Sequence, residues 1–573
     1  MSPFAPPSTV RPADRWLARG ALLLLLAIYT ATFTGLPENA DAEVEYQTAS
    51  SMMRRARMDL GGTPEAEALL AAKPPGREGQ GFDVAEGGPG REGRYYSWFG
   101  VGQAFAALPF WCAGHALTLV FPQYEERHAA TTHFGVPRSE FFEHLAVGWR
   151  NSLLTALTAY LIVLSARRVG ATGRNSLVAG LSYGIATFAW PQARSTLSDV
   201  QATFCLFFGL HLLLLGRERW ARFGRPPLVP LAGAGLALGW AFLTRVAVAP
   251  AVAFLGVLAV GFVLLSALRA RRALRGSPLA PLLALGIPFA FCLLVFVVTN
   301  YLRFGDPLET GYGAAFTGGS FFSSPPLEGL AGVMLSPGKG LLWMAPGVLV
   351  LPFGMLRAWQ RGTRTLLLLV FGISACILTP VCFMQGWHAA WTYGPRYLLP
   401  LLPFVWMLVA LGLDYVQEWP MRRAFARALL WAGLLTSVPA VLVDYTTHLG
   451  LAQQAARLAW PDVAGDNDFQ RDDDRFLRIQ WDWRFAAPWA HWRILRHRGA
   501  GLGDEFPVET IFFVDQPAVL SPRTERERGL RHFAWVDFQE RLRGPVWPAT
   551  LLCLGLFVAG LAAIGRGLDD PAV

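Results

Sequence analysis

Three carboxylates fall within five residues, Asp41, Glu43 and Glu45, and Tyr46 follows at once in the run Asn39-Ala-Asp-Ala-Glu-Val-Glu-Tyr46. Asn39 or Asp41 is suited to cap a helix running to about Met58, which would gather the acids on its first turns. A carboxylate held there can take a proton from an acceptor hydroxyl as a general base. Acids also favour helix N-termini for their own sake, and charge pattern alone leaves that alternative open. A further acid, Asp199, closes the run Pro191-Gln-Ala-Arg194-Ser-Thr-Leu-Ser-Asp199. The candidate cations are Arg94 in Gly93–Gln103, Arg245 after Leu243-Thr, Arg303 in Asn300–Tyr312, Lys339 in Leu335–Gly340 and Arg396 in Gly386–Leu398. Taken singly, each is accounted for by snorkelling or by a lipid headgroup contact. Gathered at one face beside the carboxylates, they would suit an anionic lipid phosphate.

The elements that must position these groups are membrane helices. Of 573 residues, 53% are hydrophobic and 16% charged, where a soluble chain carries roughly 25% charged residues. Apolar cores at Ala21–Thr34, Leu228–Leu243, Ala247–Leu268, Leu279–Thr299 and Leu366–Val381 approach or reach the roughly 17–25 residues that cross a bilayer. Every backbone polar group in hydrocarbon must be satisfied within its own segment, so the spans are helices. The reading is an all-α, polytopic transmembrane helical bundle of about twelve spans. Its large first extracytoplasmic loop, 35–149, carries interfacial helices. The bundle covers 1–443, a hydrophilic extracytoplasmic segment covers 444–545, and a last span with a cytoplasmic tail covers 546–573.

Basic clusters set the sidedness. Arg167, Arg168 and Arg174, then Arg217 to Arg225, Arg269 to Arg275, Arg357 to Arg364 and Arg422 to Arg427 punctuate the apolar runs, as cytoplasmic loops do. Val101–Phe121 is apolar enough to span, but counting it would put every later cluster outside. It is therefore read as non-spanning, with Pro109 at its middle. Both termini are then cytoplasmic, in a cell (inner or plasma) membrane. Arg194, Arg245, Arg303, Lys339 and Arg396 fall outside, against the positive-inside trend, together with Asp199. A cleaved signal peptide ending at Ala40-Asp41-Ala42 is the alternative for the first span, and it would destroy the acidic motif.

Several classes are excluded. The net charge of +9 sits in loops between spans, which argues for a membrane and against nucleic acid. No phosphate-binding G-x-x-x-x-G-K-[ST] and no H-E-x-x-H occurs, so nothing supports a nucleotide-driven pump. The six cysteines form no C-x-x-C pair and read as packing residues. The acidic runs 466–468 and 472–474 lack the Gly and terminal Glu of a calcium loop and read as a solvated turn.

A family resemblance rests on five motifs. They are the acidic run Asp41–Tyr46, Tyr95–Gln103 with Leu108–Phe110, Asp199 opening a span, Asn300–Tyr312 with Ser336–Gly340, and Trp387–Leu398. In these the chain resembles the large bacterial membrane glycosyltransferases of the GT-C superfamily, in the family 39-like branch of protein O-mannosyltransferases and aminoarabinose transferases. The resemblance covers most of Trp16–Leu413. It implies a polyprenyl-phosphate-linked sugar donor taken from the outer leaflet, inverting transfer to an extracytoplasmic glycan, lipid or protein acceptor, and an acidic base in the first outer loop. Asp41 is the expected base and Glu43 the second choice. Arg94, Arg245, Arg303, Lys339 and Arg396 are expected at the donor phosphate, and Glu45, Tyr46, Tyr96, Asp199, Trp387 and Tyr393 at substrate. The acids stand further from their Tyr than in the family, and Trp98 replaces a position often Lys there. Some relatives hold a divalent cation at paired acids, which here would be Asp41 and Asp199; no other cofactor is expected. A transporter or lipid flippase would show inverted repeats and broken helices at mid-bilayer. A non-catalytic scaffold would leave the charged groups scattered.

Overall fold

The computed structural model describes residues 10–35, 40–71, 84–86, 94–133, 136–271, 278–311, 322–389, 391–463, 474–501, 505–520 and 533–570. Asn39, Gly93, Tyr312 and the acidic residues at 466–473 lie outside the described residues. The helices that matter here are α1 (Pro12–Thr32), α2 (Ala40–Arg55), α3 (Val101–Val120), α4 (Phe141–Arg168), α5 (Gly173–Ile185), α6 (Ser198–Phe223), α7 (Leu228–Thr244) and α8 (Ala249–Arg271). They continue with α9 (Leu279–Phe304), α10 (Leu351–Gln360), α11 (Arg364–Phe383), α12 (Leu402–Val416), α13 (Pro420–Leu442), α14 (Tyr445–Ala459), α15 (Ala487–Gly499) and α16 (Trp547–Leu568).

Among the described residues, nine helices are long and apolar enough to cross a membrane. Eight of them correspond to spans of the expected dozen, and the other four, α1, α5, α7 and α10, are not among the nine. Those four escape a count by length and apolarity for visible reasons. Helix α1 carries Asp14, Arg15 and Arg19, and α5, α7 and α10 have 13, 17 and 10 residues. The ninth is α3. Its backbone leaves Gly100 and Gly102 against Leu243 and Thr244 at the end of α7, and Gly114 against Phe142 and Glu143 at the start of α4. Arg150 donates to the Gln103 carbonyl at 2.9 Å. Helix α3 thus meets α4 between Phe142 and Arg150, in that helix's first ten residues, and its far tip (Leu117 to Phe121) is exposed.

Packing brings helices close where side chains are small. A Cβ on Gly235 of α7 would stand 1.9 Å from the Leu285 carbonyl oxygen of α9, a backbone approach only glycine permits. Helices α1 and α16 run antiparallel, with Gly567 against Leu17 and Gly560 against Leu24.

The basic clusters collect at one end of the bundle. Asp14 meets Arg167 at 2.7 Å, Arg168 meets Glu218 at 3.0 Å, and Arg361 bonds the Gly170 carbonyl while facing Asp414 at 3.8 Å. The end of α1, the start of α6, the end of α7 and the turn at Arg396–Leu401 that leads into α12 form the opposite end. There Asp444 caps α14 by accepting from the Thr447 amide at 2.9 Å. The segment beginning there, expected as a hydrophilic stretch, has a small core of its own around Ile479, Phe485, Ile494 and Phe512. The first outer loop ends sooner than expected. Helix α4 begins at Phe141, after Glu140 turns the chain in a left-handed conformation (φ 57°). Glu143, His144 and Arg150 make Phe141–Arg150 look like loop in sequence, but the fold buries all three.

Candidate active site

Four separate segments supply one cluster of charge at the end opposite the basic clusters. Asp41, in the first turn of α2, accepts from Arg396 at 3.0 Å. Asp199, in the first turn of α6, accepts from Arg245 at 3.0 Å. The two guanidinium groups share an aromatic neighbour: Arg245 stands 5.5 Å and Arg396 5.3 Å from the ring centroid of Tyr397. Arg396 also lies within electrostatic reach of Asp199, so the two ion pairs form one group. Local chain geometry explains the placement. Arg245 is the residue at which α7 stops in extended conformation (φ −151°, ψ 109°), and Arg396 follows the Gly394-Pro395 turn, where Gly394 adopts φ 74°.

Glu45 lies beneath this group, 4% exposed, with Ser198, Asp199, Arg245 and Arg150 around it. Its carboxyl faces the Ser198 hydroxyl. Burial, reinforced by the Asp199 charge and opposed by Ser198, Arg245 and Arg150, pushes its pKa up to about 8. An acid protonated in the fold until about pH 8, but ionised near its ordinary value once unfolded, costs stability as pH rises through that interval. Glu45→Gln is therefore expected to leave thermal stability near pH 5 almost unchanged and to raise it at pH 8, by the equivalent of roughly 4 kcal/mol. Melting curves at the two pH values check this; an equal effect at both would show that Glu45 is not held protonated.

Glu43 is engaged elsewhere. It accepts from Gln47 at 2.6 Å and faces His144 Nε2 at 3.4 Å. His144 in turn stacks on Tyr46, ring centroids 3.5 Å apart, and the Tyr46 hydroxyl donates to Glu140 at 2.8 Å. Ser50 and Arg54 bond the same Glu140 carboxylate. Tyr46 thus fastens α2 to the start of α4, and its buried hydroxyl is occupied by that bond.

The remaining candidates divide between bracing and a second, buried cluster. Arg303 donates to the carbonyls of Ser97 (2.7 Å) and Phe99 (3.2 Å) and to Asn300 (2.7 Å). It braces the loop before α3. Tyr96 is buried edge-on against Phe304, and Trp387 is buried beneath Gly332 beside Trp481; both serve packing. Arg94 precedes the strand Tyr95–Ser97, half-buried. Lys339 is buried, its ammonium bonded to the Thr392 carbonyl and 4.5 Å from the ring of Tyr445. Burial, with Arg396 adding to it, lowers the Lys339 pKa well below the ordinary amine value. Tyr393 donates to the Thr436 carbonyl at 3.0 Å and packs against Tyr445 and His491. Lys339, Tyr393, Tyr445, His448 and His491 pack together in a buried cluster next to the ion-pair group.

Sequence reasoning passed over Arg150, His144, Glu140, Tyr397, His448 and His491. Tyr397 was within reach, since it follows Arg396 inside the Trp387–Leu398 motif. Arg150 carried a weaker signal, a cation ten residues into what proves to be an apolar helix. Glu140 and His144 carried none, because their partners lie about a hundred residues away. The described residues contain no group of three or more His, Cys, Asp or Glu arranged to hold a metal ion. Asp41 and Asp199, the pair expected for a divalent cation, each face a guanidinium instead, so the donor set does not fit one.

No family model matches the chain, and no curated protein matches it. Among solved structures it is similar to ArnT from Cupriavidus metallidurans in the apo state, at 14% identity over 95% of this chain and 75% of that one, with a TM-score of 0.41. It is similar also to the same organism's ArnT bound to undecaprenyl phosphate, at 13% identity, 96% and 77% coverage and a TM-score of 0.39. The apo oligosaccharyltransferase of Archaeoglobus fulgidus follows at 13% identity, 78% coverage of this chain and a TM-score of 0.38. The chain spans 58% of the length of that oligosaccharyltransferase. All three are loose likenesses of helix arrangement.

Proposed function

We propose that this chain is a membrane glycosyltransferase that moves a sugar from a polyprenyl-phosphate donor to an extracytoplasmic acceptor with inversion. The observation that carries the reading is the paired arrangement Asp41–Arg396 and Asp199–Arg245 around Tyr397, built from four segments at the end of the bundle opposite the basic clusters. The positive-inside trend puts the basic clusters in the cytoplasm, so the pairs face outside the cell membrane. A scaffold has no use for convergence of this kind. The motif resemblance points to the same chemistry.

In this mechanism Asp41 removes the proton from the acceptor hydroxyl, and the oxygen attacks the anomeric carbon. The carbon–oxygen bond to phosphate breaks with its electron pair passing to the lipid phosphate, and Arg396 and Arg245 stabilise the charge that develops there. Glu43 is the alternative base, Lys339 a further cation at the edge of the phosphate site, and Glu45 the buried carboxyl beneath it. The donor carries its own activation, so the chemistry needs no nucleotide.

The test is transfer by the purified full chain in lipid nanodiscs supplied with a radiolabelled polyprenyl-phosphate sugar and a cell-envelope extract as acceptor. Sugar is expected to leave the lipid and appear on acceptor with time. Movement of an intact fluorescent polyprenyl lipid between leaflets of proteoliposomes, without cleavage, would favour a flippase and sink the reading.

A further inference from the structure

Helix α15 has one face sealed into the protein and one left open. Ala490, His491, Ile494 and His497 are buried. On the other side Trp489 and Trp492 are 43% and 41% exposed, and Arg496 is exposed one turn further on. These three stand at i, i+3 and i+7, a single stripe on a helix, with Arg493 at i+4. Arg493 is half-buried, bonded to the Arg484 carbonyl and 4.7 Å from the ring of Phe513, which holds it at the edge of the stripe.

The depth of the stripe follows from one hydrogen bond. The Trp492 indole donates to the Leu435 carbonyl at 3.0 Å. Leu435 lies in α13, seven residues before that helix ends at Leu442, or about 10 Å along a helix axis. Helix α13 is long and apolar enough to cross a membrane, and it presents Trp431 and Leu435 outward at 65% and 57% exposure. The tryptophans of α15 therefore continue an apolar surface that belongs to a spanning helix. Trp343, 41% exposed and 6.3 Å from Trp489, extends the patch towards the Ser336–Gly340 turn.

We propose that α15 lies flat in the membrane interface. Trp489 and Trp492 sit among the upper acyl chains, and Arg496 sits on the phosphate of an anionic phospholipid. Aromatic and basic side chains are divided in this way on helices that rest in the interface plane. The opposite, buried face of the same helix carries His491, which packs on Tyr393 and His448, and both belong to the buried cluster around Lys339. The helix that packs on this cluster thereby pins its part of the 444–545 segment to the outer leaflet. This inference stands whether or not sugar transfer is the reaction.

Two measurements on the full chain test it. In nanodiscs of phosphatidylcholine and phosphatidylglycerol, hydroxyl-radical footprinting is expected to oxidise Trp489 and Trp492 as slowly as Trp431. Oxidation several-fold faster than Trp431 would overturn the placement, and so would protection that appears only when a soluble oligosaccharide is added, which would assign the patch to a glycan. Native mass spectrometry should then show Arg496→Gln retaining phosphatidylglycerol about five-fold less than wild type, the scale of one basic residue at an anionic surface. Unchanged retention would remove the headgroup contact. Arg496 is exposed, so the variant tests the contact without disturbing the fold.

Discussion

Asp41→Asn is expected to reduce sugar transfer at saturating donor by roughly 10²–10⁴-fold, the usual worth of a positioned general base. The substitution keeps the shape of the side chain and leaves an amide oxygen for Arg396. The carboxylate is 25% exposed, so little folding energy rests on it. Among the candidate acids it combines access with a partner that a substrate can draw away. Glu45 is buried and its pKa is pushed up by that burial, so it is less accessible and less ionised near pH 7 than Asp41's position allows. Glu43 is already held by Gln47 and faces His144, so Glu43→Gln is expected to cost less activity and more stability. Initial rates and melting temperatures for both variants decide the assignment. Full activity in Asp41→Asn with loss in Glu43→Gln would move the base two residues along α2.

Much of the scaffold was legible because burial in hydrocarbon leaves a one-dimensional record. The apolar run Leu228–Leu243 is α7 within one residue, and Leu279–Thr299 lies wholly inside α9. The record fails where helices pack on protein rather than lipid. Helix α5 carries Asn175, Ser176, Gly180, Ser182 and Gly184 because it is buried among α1, α4 and α12, and such a composition has no apolar signature. The crossing that ends in α10 is interrupted by Pro346 and a 3₁₀ turn, Pro346–Val350. At the site, the types of the charged residues were legible but not their pairing. Asp41 and Arg396 are 355 residues apart, and only the fold brings them to 3.0 Å. For the same reason nothing local shows that the Arg303 guanidinium reaches the carbonyls of Ser97 and Phe99.

Arg245→Gln and Arg396→Gln are expected each to lower kcat/KM for the donor by about 10²–10³-fold, the range found when one preorganised donor to a developing anion is removed. The two should differ in how the loss divides. Arg245 is paired with Asp199, whose side chain is wholly buried, and removing the cation strands that charge, so stability falls together with activity. Arg396 is paired with the accessible Asp41, and its loss leaves a carboxylate that water can still solvate. In the structure both cations are paired with acids. On the proposed mechanism a lipid phosphate would compete for them, and one that drew Arg396 towards itself would release Asp41 beside the acceptor and so link donor binding to the appearance of the base. Arg396→Gln removes this link and should weaken discrimination against acceptor without donor, read as loss of ordered binding in initial-rate patterns. Donor affinity measured with the unglycosylated polyprenyl phosphate separates binding from chemistry. Unchanged affinity in both variants would place the phosphate elsewhere, with Lys339 the next cation to replace.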